Sequence, residues 1–225
     1  MPDEPKEEEK EVVPIKILAK PEAALRAFLS APDWRTRAKY VLNPEENAKD
    51  MELYYKLLPD GEIAFKSVTV QDSRKEAGSQ AEEYHIYQVV TEQAPAGFPV
   101  AVVLRDGEWK VDWGTFAEFH GDLFSRFAKG EGGPKAGFHL VLRLTNFAPK
   151  HEGFTAFRLD PPLPGRDLYG YVPTNSELHQ RLTECTSWGK PGQALLRLQR
   201  NTGKDGKIWI EITGIQVEGW WSRSD

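Results

Sequence analysis

The sequence predicts an α+β protein, with N-terminal helices laid on an antiparallel meander and a smaller β-rich second domain carrying one helix. Three observations predict it. Apolar residues recur at helical spacing up to Leu58 and then switch to strand alternation from Ile63. Asp106-Gly107 is a two-residue hairpin signal between Val100-Ala-Val-Val-Leu104 and a run in which Trp109, Val111 and Trp113 alternate with Glu108, Lys110 and Asp112. Gly130-Glu-Gly-Gly-Pro134 then breaks the chain before the pattern starts again.

Pro2 through Pro14 is charged, bounded by prolines and poor in anything to bury, which predicts a flexible lead-in over residues 1–19. A plain tail and a tether with a membrane anchor upstream both fit it. Pro21 suits a first helical turn, and Ala24, Leu25, Phe28 and Leu29 form an apolar stripe that Ser30-Ala-Pro32 ends. Asp33 caps a short helix over Trp34 to Val41, and Asn43-Pro44-Glu45-Glu46 opens a third through Met51, Tyr54, Tyr55 and Leu58. Arg35, Arg37 and Lys39 share no stripe and read as a solvated face.

Strands follow over Ile63 to Val70, Tyr84 to Thr91, Phe98 to Leu104 and Trp109 to Trp113, which place Asp112 opposite the tryptophans and toward water. A helix from Thr115 to about Lys129 carries Phe116, Phe119, Leu123 and Phe127 on one side and completes a domain over 20–130. On such a helix His120 and Asp122 cannot share a face. The second domain, 135–225, shows strands at Phe138 to Leu144, Phe154 to Leu159 and Leu168 to Val172. A helix over Thr174 to Trp188 and a long hairpin, Ala194 to Gln199 with Lys207 to Val217, complete it. A small barrel is one arrangement of these strands. Trp209, out of phase with Ile208, Ile210 and Ile212, is expected to pack on the first domain or on the last helix, or else to form an exposed aromatic patch.

Composition narrows the function. Hydrophobic residues at 40 % and aromatics at 11 % indicate a folded chain, and a formal charge of -5 argues against general nucleic-acid binding. The single cysteine, Cys185, excludes an intrachain disulfide and reads as a small buried hydrophobe. No apolar run approaches a membrane span, so the chain is expected to be soluble as given, and extracytoplasmic only if the lead-in is anchored. The five histidines show no metal-ligand spacing, and no phosphate loop, nucleophile elbow or cofactor signature occurs, so neither a metal nor a cofactor is expected.

Three N-terminal helices followed by a sheet ending in Val-Val-Leu-Arg-Asp-Gly-Glu-Trp-Lys-Val-Asp-Trp113 resemble the NTF2-like (cystatin-like) superfamily over Pro21 to Trp113. The resemblance implies helices packed on a curved antiparallel sheet, a cone with a pocket between them. That superfamily includes isomerases, dehydratases, hydrolases and protein-binding modules, so the fold does not decide the function. The helix and second β unit beyond Trp113 depart from its simplest form.

A base and a donor in such a pocket would come from His85, Asp50 and Tyr54, with Trp34, Tyr87 and Trp113 lining it for a ligand. His85 reads equally as an ordinary strand histidine, and Tyr54 as a packing residue with a satisfied hydroxyl. The expected function is non-catalytic binding or scaffolding, with a protein or a small apolar molecule as partner and a homodimer formed through the sheet. The alternative is a small-molecule lyase, isomerase or hydrolase using His85 or Asp50. A barrel resembling an OB-fold, binding oligosaccharide or peptide, is a third reading of the second unit.

Overall fold

The computed structural model of the protein describes residues 20–75, 83–186 and 191–218. The lead-in, the Trp188 end of the last expected helix, and Trp220 and Trp221 lie outside them. Among the described residues, no helix is long and apolar enough to cross a membrane.

The first unit is built as its periodicity dictates. Helix α1 (Pro21–Leu29) starts with proline in its first turn and buries Ala24, Leu25, Phe28 and Leu29. Asp33 accepts from the Thr36 backbone N–H at 2.7 Å to cap α2 (Trp34–Ala38), and α3 (Pro44–Leu57) buries Met51 and Tyr54. Strands β1 (Phe65–Lys75), β2 (Glu83–Thr91), β3 (Phe98–Arg105) and β4 (Glu108–Val111) form one antiparallel sheet in chain order. The hairpin falls on Asp106-Gly107, both at positive φ as a tight two-residue turn demands.

That last strand is shorter than its alternation suggests. It stops at Val111, and Asp112 turns from a strand residue into the cap of α4 (Trp113–His120), accepting from the Thr115 N–H at 2.7 Å and its hydroxyl at 2.5 Å. Asp112 is thus a helix cap rather than a water-facing strand residue. Trp113 begins a helix and drops into the core, 3 % exposed.

The expected single helix after the hairpin is two. Asp122 adopts a left-handed conformation after Gly121, ending α4 and starting α5 (Leu123–Ala128) in a new direction. Phe116 and Phe119 join the core under the sheet, whereas Phe124 and Phe127 join the core of the second unit, where both rings meet Phe138. Apolar packing therefore changes from one core to the other at Gly121-Asp122, ahead of the glycine-rich break.

The second unit is a closed barrel. Strands β5 (Lys135–Leu144), β6 (Phe154–Asp160), β7 (Leu168–Pro173), β8 (Gly192–Thr202) and β9 (Ile208–Glu218) run in the order β5-β6-β7-β9-β8, with a parallel contact between β7 and β9 and antiparallel contacts elsewhere. Phe138, Leu140, Leu142, Phe157, Leu159, Leu196, Leu198 and Ile212 fill it, and α6 (Glu177–Cys185) adds Leu182. Cys185 is half-buried, its thiol pushed up in pKa by that burial.

Trp209 packs on aromatic side chains of the second unit's own strands and loop. Ile210 and Ile212 point into the barrel, so Trp209 points out of it, where it meets Tyr171 of the neighbouring strand at 6.0 Å, His151 at 5.0 Å and Phe154 at 5.3 Å.

Candidate functional site

The interior of the first unit is closed by its own aromatics. Tyr54, from α3, lies edge-on to Trp113 at 5.1 Å; Phe116 meets Phe28 at 4.7 Å and Trp113 at 5.6 Å; Phe98 of β3 reaches Phe116 at 6.3 Å. Open volume appears beside this cluster, at the rim, as a cavity of about 610 Å³. Its walls are the 59–64 turn after α3, the 91–98 connection between β2 and β3, the end of α4 with Asp122, and Leu163, Pro164 and Arg166 from the β6–β7 connection. Both units therefore contribute to it.

Each wall is held by a specific polar contact. The 59–64 turn is fixed by Arg37, whose guanidinium is fully buried and donates to the carbonyls of Phe28 (3.0 Å), Ala31 (3.0 Å) and Gly61 and to the Tyr55 hydroxyl (2.9 Å), with Asp60 at 3.5 Å. This overturns the reading of Arg37 as part of a solvated face: the exposed carbonyls at the end of α1 and in the turn recruit the one side chain with enough donors to satisfy them. Burial pushes the Tyr55 phenol up to about 12 even with that guanidinium against it. In the second wall, Thr91 Oγ1 accepts from the Ala94 N–H (3.0 Å), and Gln88 Nε2 donates to the Ala96 carbonyl (2.9 Å). In the third, Arg166 Nε donates to Asp122 Oδ2 at 2.7 Å, tying the barrel connection to the break between α4 and α5.

The cavity's imidazole is His120, in the last turn of α4. Its ring stacks on Phe116 (4.9 Å, 16° between planes) and meets Phe98 at 5.3 Å, while Nδ1 lies 2.6 Å from the Tyr54 hydroxyl. Burial, with the Arg37 charge adding to it, pulls the imidazole pKa down to about 4, so the ring is neutral at pH 7. Burial likewise holds the Tyr54 phenol far above its ordinary range, so the hydroxyl keeps its proton.

The residues singled out in the sequence are dispersed. Tyr54 takes part, through its hydroxyl. His85 faces the helix side of the sheet with Tyr87 but at its far end, stacked on Tyr87 at 6.1 Å and against Trp109 at 5.1 Å, with Glu83 3.7 Å from Nε2 and Nδ1 buried without a partner. Asp50 is exposed on α3. Tyr87 and Trp113 are packed in the core, and Trp34 is half-buried with the Arg35 guanidinium 4.6 Å over its ring. None of these five lines the cavity. His120 and Asp122 both line it, because the helix breaks between them, contrary to the expectation that they cannot share a face. Among the described residues, no group of three or more His, Cys, Asp or Glu converges as a metal-ligand set. No family model, curated protein or solved structure matches the chain.

Proposed function

We propose that the protein is a non-catalytic binding protein of NTF2-like build, in which the cone is filled and a small, mostly apolar molecule is held at its rim. The observation that carries this is the cavity of about 610 Å³ beside a closed aromatic core, within the size range of small-molecule sites and lined mainly by apolar groups with a few polar ones. Its chemistry favours binding over turnover. A general base works best with a pKa near the working pH, and His120 at about 4 is too weak for that role, while its partner Tyr54 holds its proton. The pair is suited to orient a ligand. The contribution of both units to the walls also makes the second unit part of the site instead of an unrelated appendage.

The test is a panel of neutral aromatic and alicyclic fragments titrated into the full chain by NMR, repeated on Ala96→Trp. Ala96 is exposed at the cavity wall, so filling the space there leaves unfolding free energy within about 0.5 kcal/mol of the parent. Saturable shifts at Ile63, Ala94 and Phe119 that vanish in the variant support the reading. No saturable binder in the panel, or binding undiminished by A96W, overturns it.

A further inference from the structure

The Tyr54 hydroxyl is buried and, among the described residues, has one hydrogen-bond partner, Nδ1 of His120. A buried hydroxyl that fails to donate loses its bond to water with nothing in exchange. If Nδ1 carried the proton, Tyr54 would accept it and its own O–H would have no acceptor among the described residues. The economical arrangement is Tyr54 O–H donating into a lone pair on Nδ1, at 2.6 Å. A neutral imidazole has one donor and one acceptor nitrogen, so the proton sits on Nε2.

Among the described residues, Nε2 has no hydrogen-bond partner. It is not sealed off either, since it is absent from the buried, unsatisfied polar atoms while His120 lines the cavity. One face of the ring is covered by Phe116 and another side by Phe98, so the edge bearing Nε2 is the polar feature that His120 offers. Around it lie Ile63, Ala94, Phe98, Phe119, Leu163 and Pro164, a mainly apolar surround.

The charged groups of the lining set the charge of what can enter. Asp60, Glu62 and Asp122 are carboxylates, and the guanidinium among them, Arg166, is committed to Asp122. With Asp122 paired to Arg166 and Asp60 beside Arg37, the exposed Glu62 carboxylate is the charge an anion would meet, and an ion of either sign would have to give up its water to a mainly apolar surround. A neutral molecule meets neither obstacle.

We infer that the cavity selects a neutral, largely apolar ligand bearing an acceptor oxygen, such as a ketone, ester, lactone or amide carbonyl, which takes the proton of His120 Nε2. Tyr54 acts here as a positioning residue: it fixes the tautomer that makes His120 a donor. The inference rests on the binding reading above and adds the ligand class to it.

Four probes on one skeleton test it: 2-acetylnaphthalene, 2-ethylnaphthalene, 2-naphthoate and 1-(2-naphthyl)ethylamine, titrated into the full chain with shifts followed at Ile63, Ala94 and Phe119. The ketone is expected to bind about tenfold tighter than the ethyl analogue, with both charged analogues weaker than the ketone. In the double variant Tyr54→Phe/His120→Phe, which removes donor and acceptor together, the ketone and the hydrocarbon are expected to bind within about twofold of each other. Ring nitrogen shifts of His120 in the unliganded wild type supply an independent reading, with the protonated nitrogen expected at Nε2. A proton on Nδ1 overturns the inference even if the double variant does not fold. Equal binding of ketone and hydrocarbon, tighter binding of naphthoate or the amine, or a ketone preference that survives the double variant also overturns it, while leaving the binding reading intact. Failure of all four probes to bind saturably removes both.

Discussion

Glu118 of α4 grips His139 of β5 twice: Oε1 accepts from the His139 backbone N–H at 2.8 Å, and Oε2 lies 2.7 Å from its Nδ1. His139 alternates with the inward Phe138 and Leu140, so it stands on the outer wall of the barrel where α4 can reach it. The carboxylate is 7 % exposed; desolvation raises its pKa, and the contacts to His139 oppose that shift. Glu118→Ala would leave the His139 amide without its acceptor and is expected to cost about 2 to 3 kcal/mol in urea unfolding. Glu118→Gln keeps an acceptor for that amide and is expected to cost roughly half as much. Equal losses in the two variants would mean that the ionised carboxylate, and not the packing or the neutral acceptor that glutamine retains, carries the contribution.

The Tyr54–His120 pair makes the first unit sensitive to mild acid. His120 has a folded pKa of about 4 against an ordinary 6.5, so between these values the unfolded chain binds a proton that the folded chain refuses. Stability from this group is full above pH 6.5 and is lost as pH falls toward 4, by at most about 3 kcal/mol. Carboxylates titrate in the lower part of the same window, so the comparison is with Tyr54→Phe/His120→Phe. The stability of the parent relative to that variant should decline between pH 6.5 and 4.5. A constant difference across that range would show that His120 titrates normally.

What was legible in the sequence was what neighbours along the chain decide. The Asp106-Gly107 turn needs two residues at positive φ and has them, and the stripe of α1 is set by spacing alone. The candidate site was not legible, because its members meet across the fold: Tyr54 and His120 are 66 positions apart. Its one local cue, the Gly121-Asp122 step, was outweighed by a stripe of apolar residues at helical spacing, Phe116, Phe119, Leu123 and Phe127, that serves two different cores. Arg37 misled for the same reason, since its partners are carbonyls whose exposure follows from how α1 ends and not from the side chains around the arginine. Residue types also hid the cavity, whose walls are mostly turn residues such as Gly61, Ala96 and Pro164.

Arg37 is expected to be irreplaceable even by lysine. Its planar fork satisfies three carbonyls and a hydroxyl at once, a geometry that a single ammonium cannot match. Arg37→Lys should lower unfolding free energy by about 3 kcal/mol, since it keeps a buried charge and loses donors. Because one of those carbonyls belongs to Gly61, amide exchange at Gly61 and Glu62 should quicken beyond what the global loss explains. Global destabilisation with no excess exchange there would separate Arg37 from the cavity wall.

Gly170 sits at a close crossing inside the barrel. It pairs with Phe157 on one side and Ile210 on the other, and a Cβ placed on it would lie 2.6 Å from Leu159 Cδ1 and 3.0 Å from Ile212 Cγ1. Leu159 and Ile212 are both fully buried, so neither can swing away without displacing further core atoms. Gly170→Ala should therefore cost about 1 to 3 kcal/mol, although alanine suits a strand better than glycine does. Trimming the neighbour should relieve the clash: Leu159→Val alone opens space and destabilises, but combined with Gly170→Ala it should cost less than the sum by about 1 kcal/mol. Additive losses in that double-mutant cycle, measured by urea unfolding, would place the strain of Gly170→Ala against Ile212 instead of Leu159.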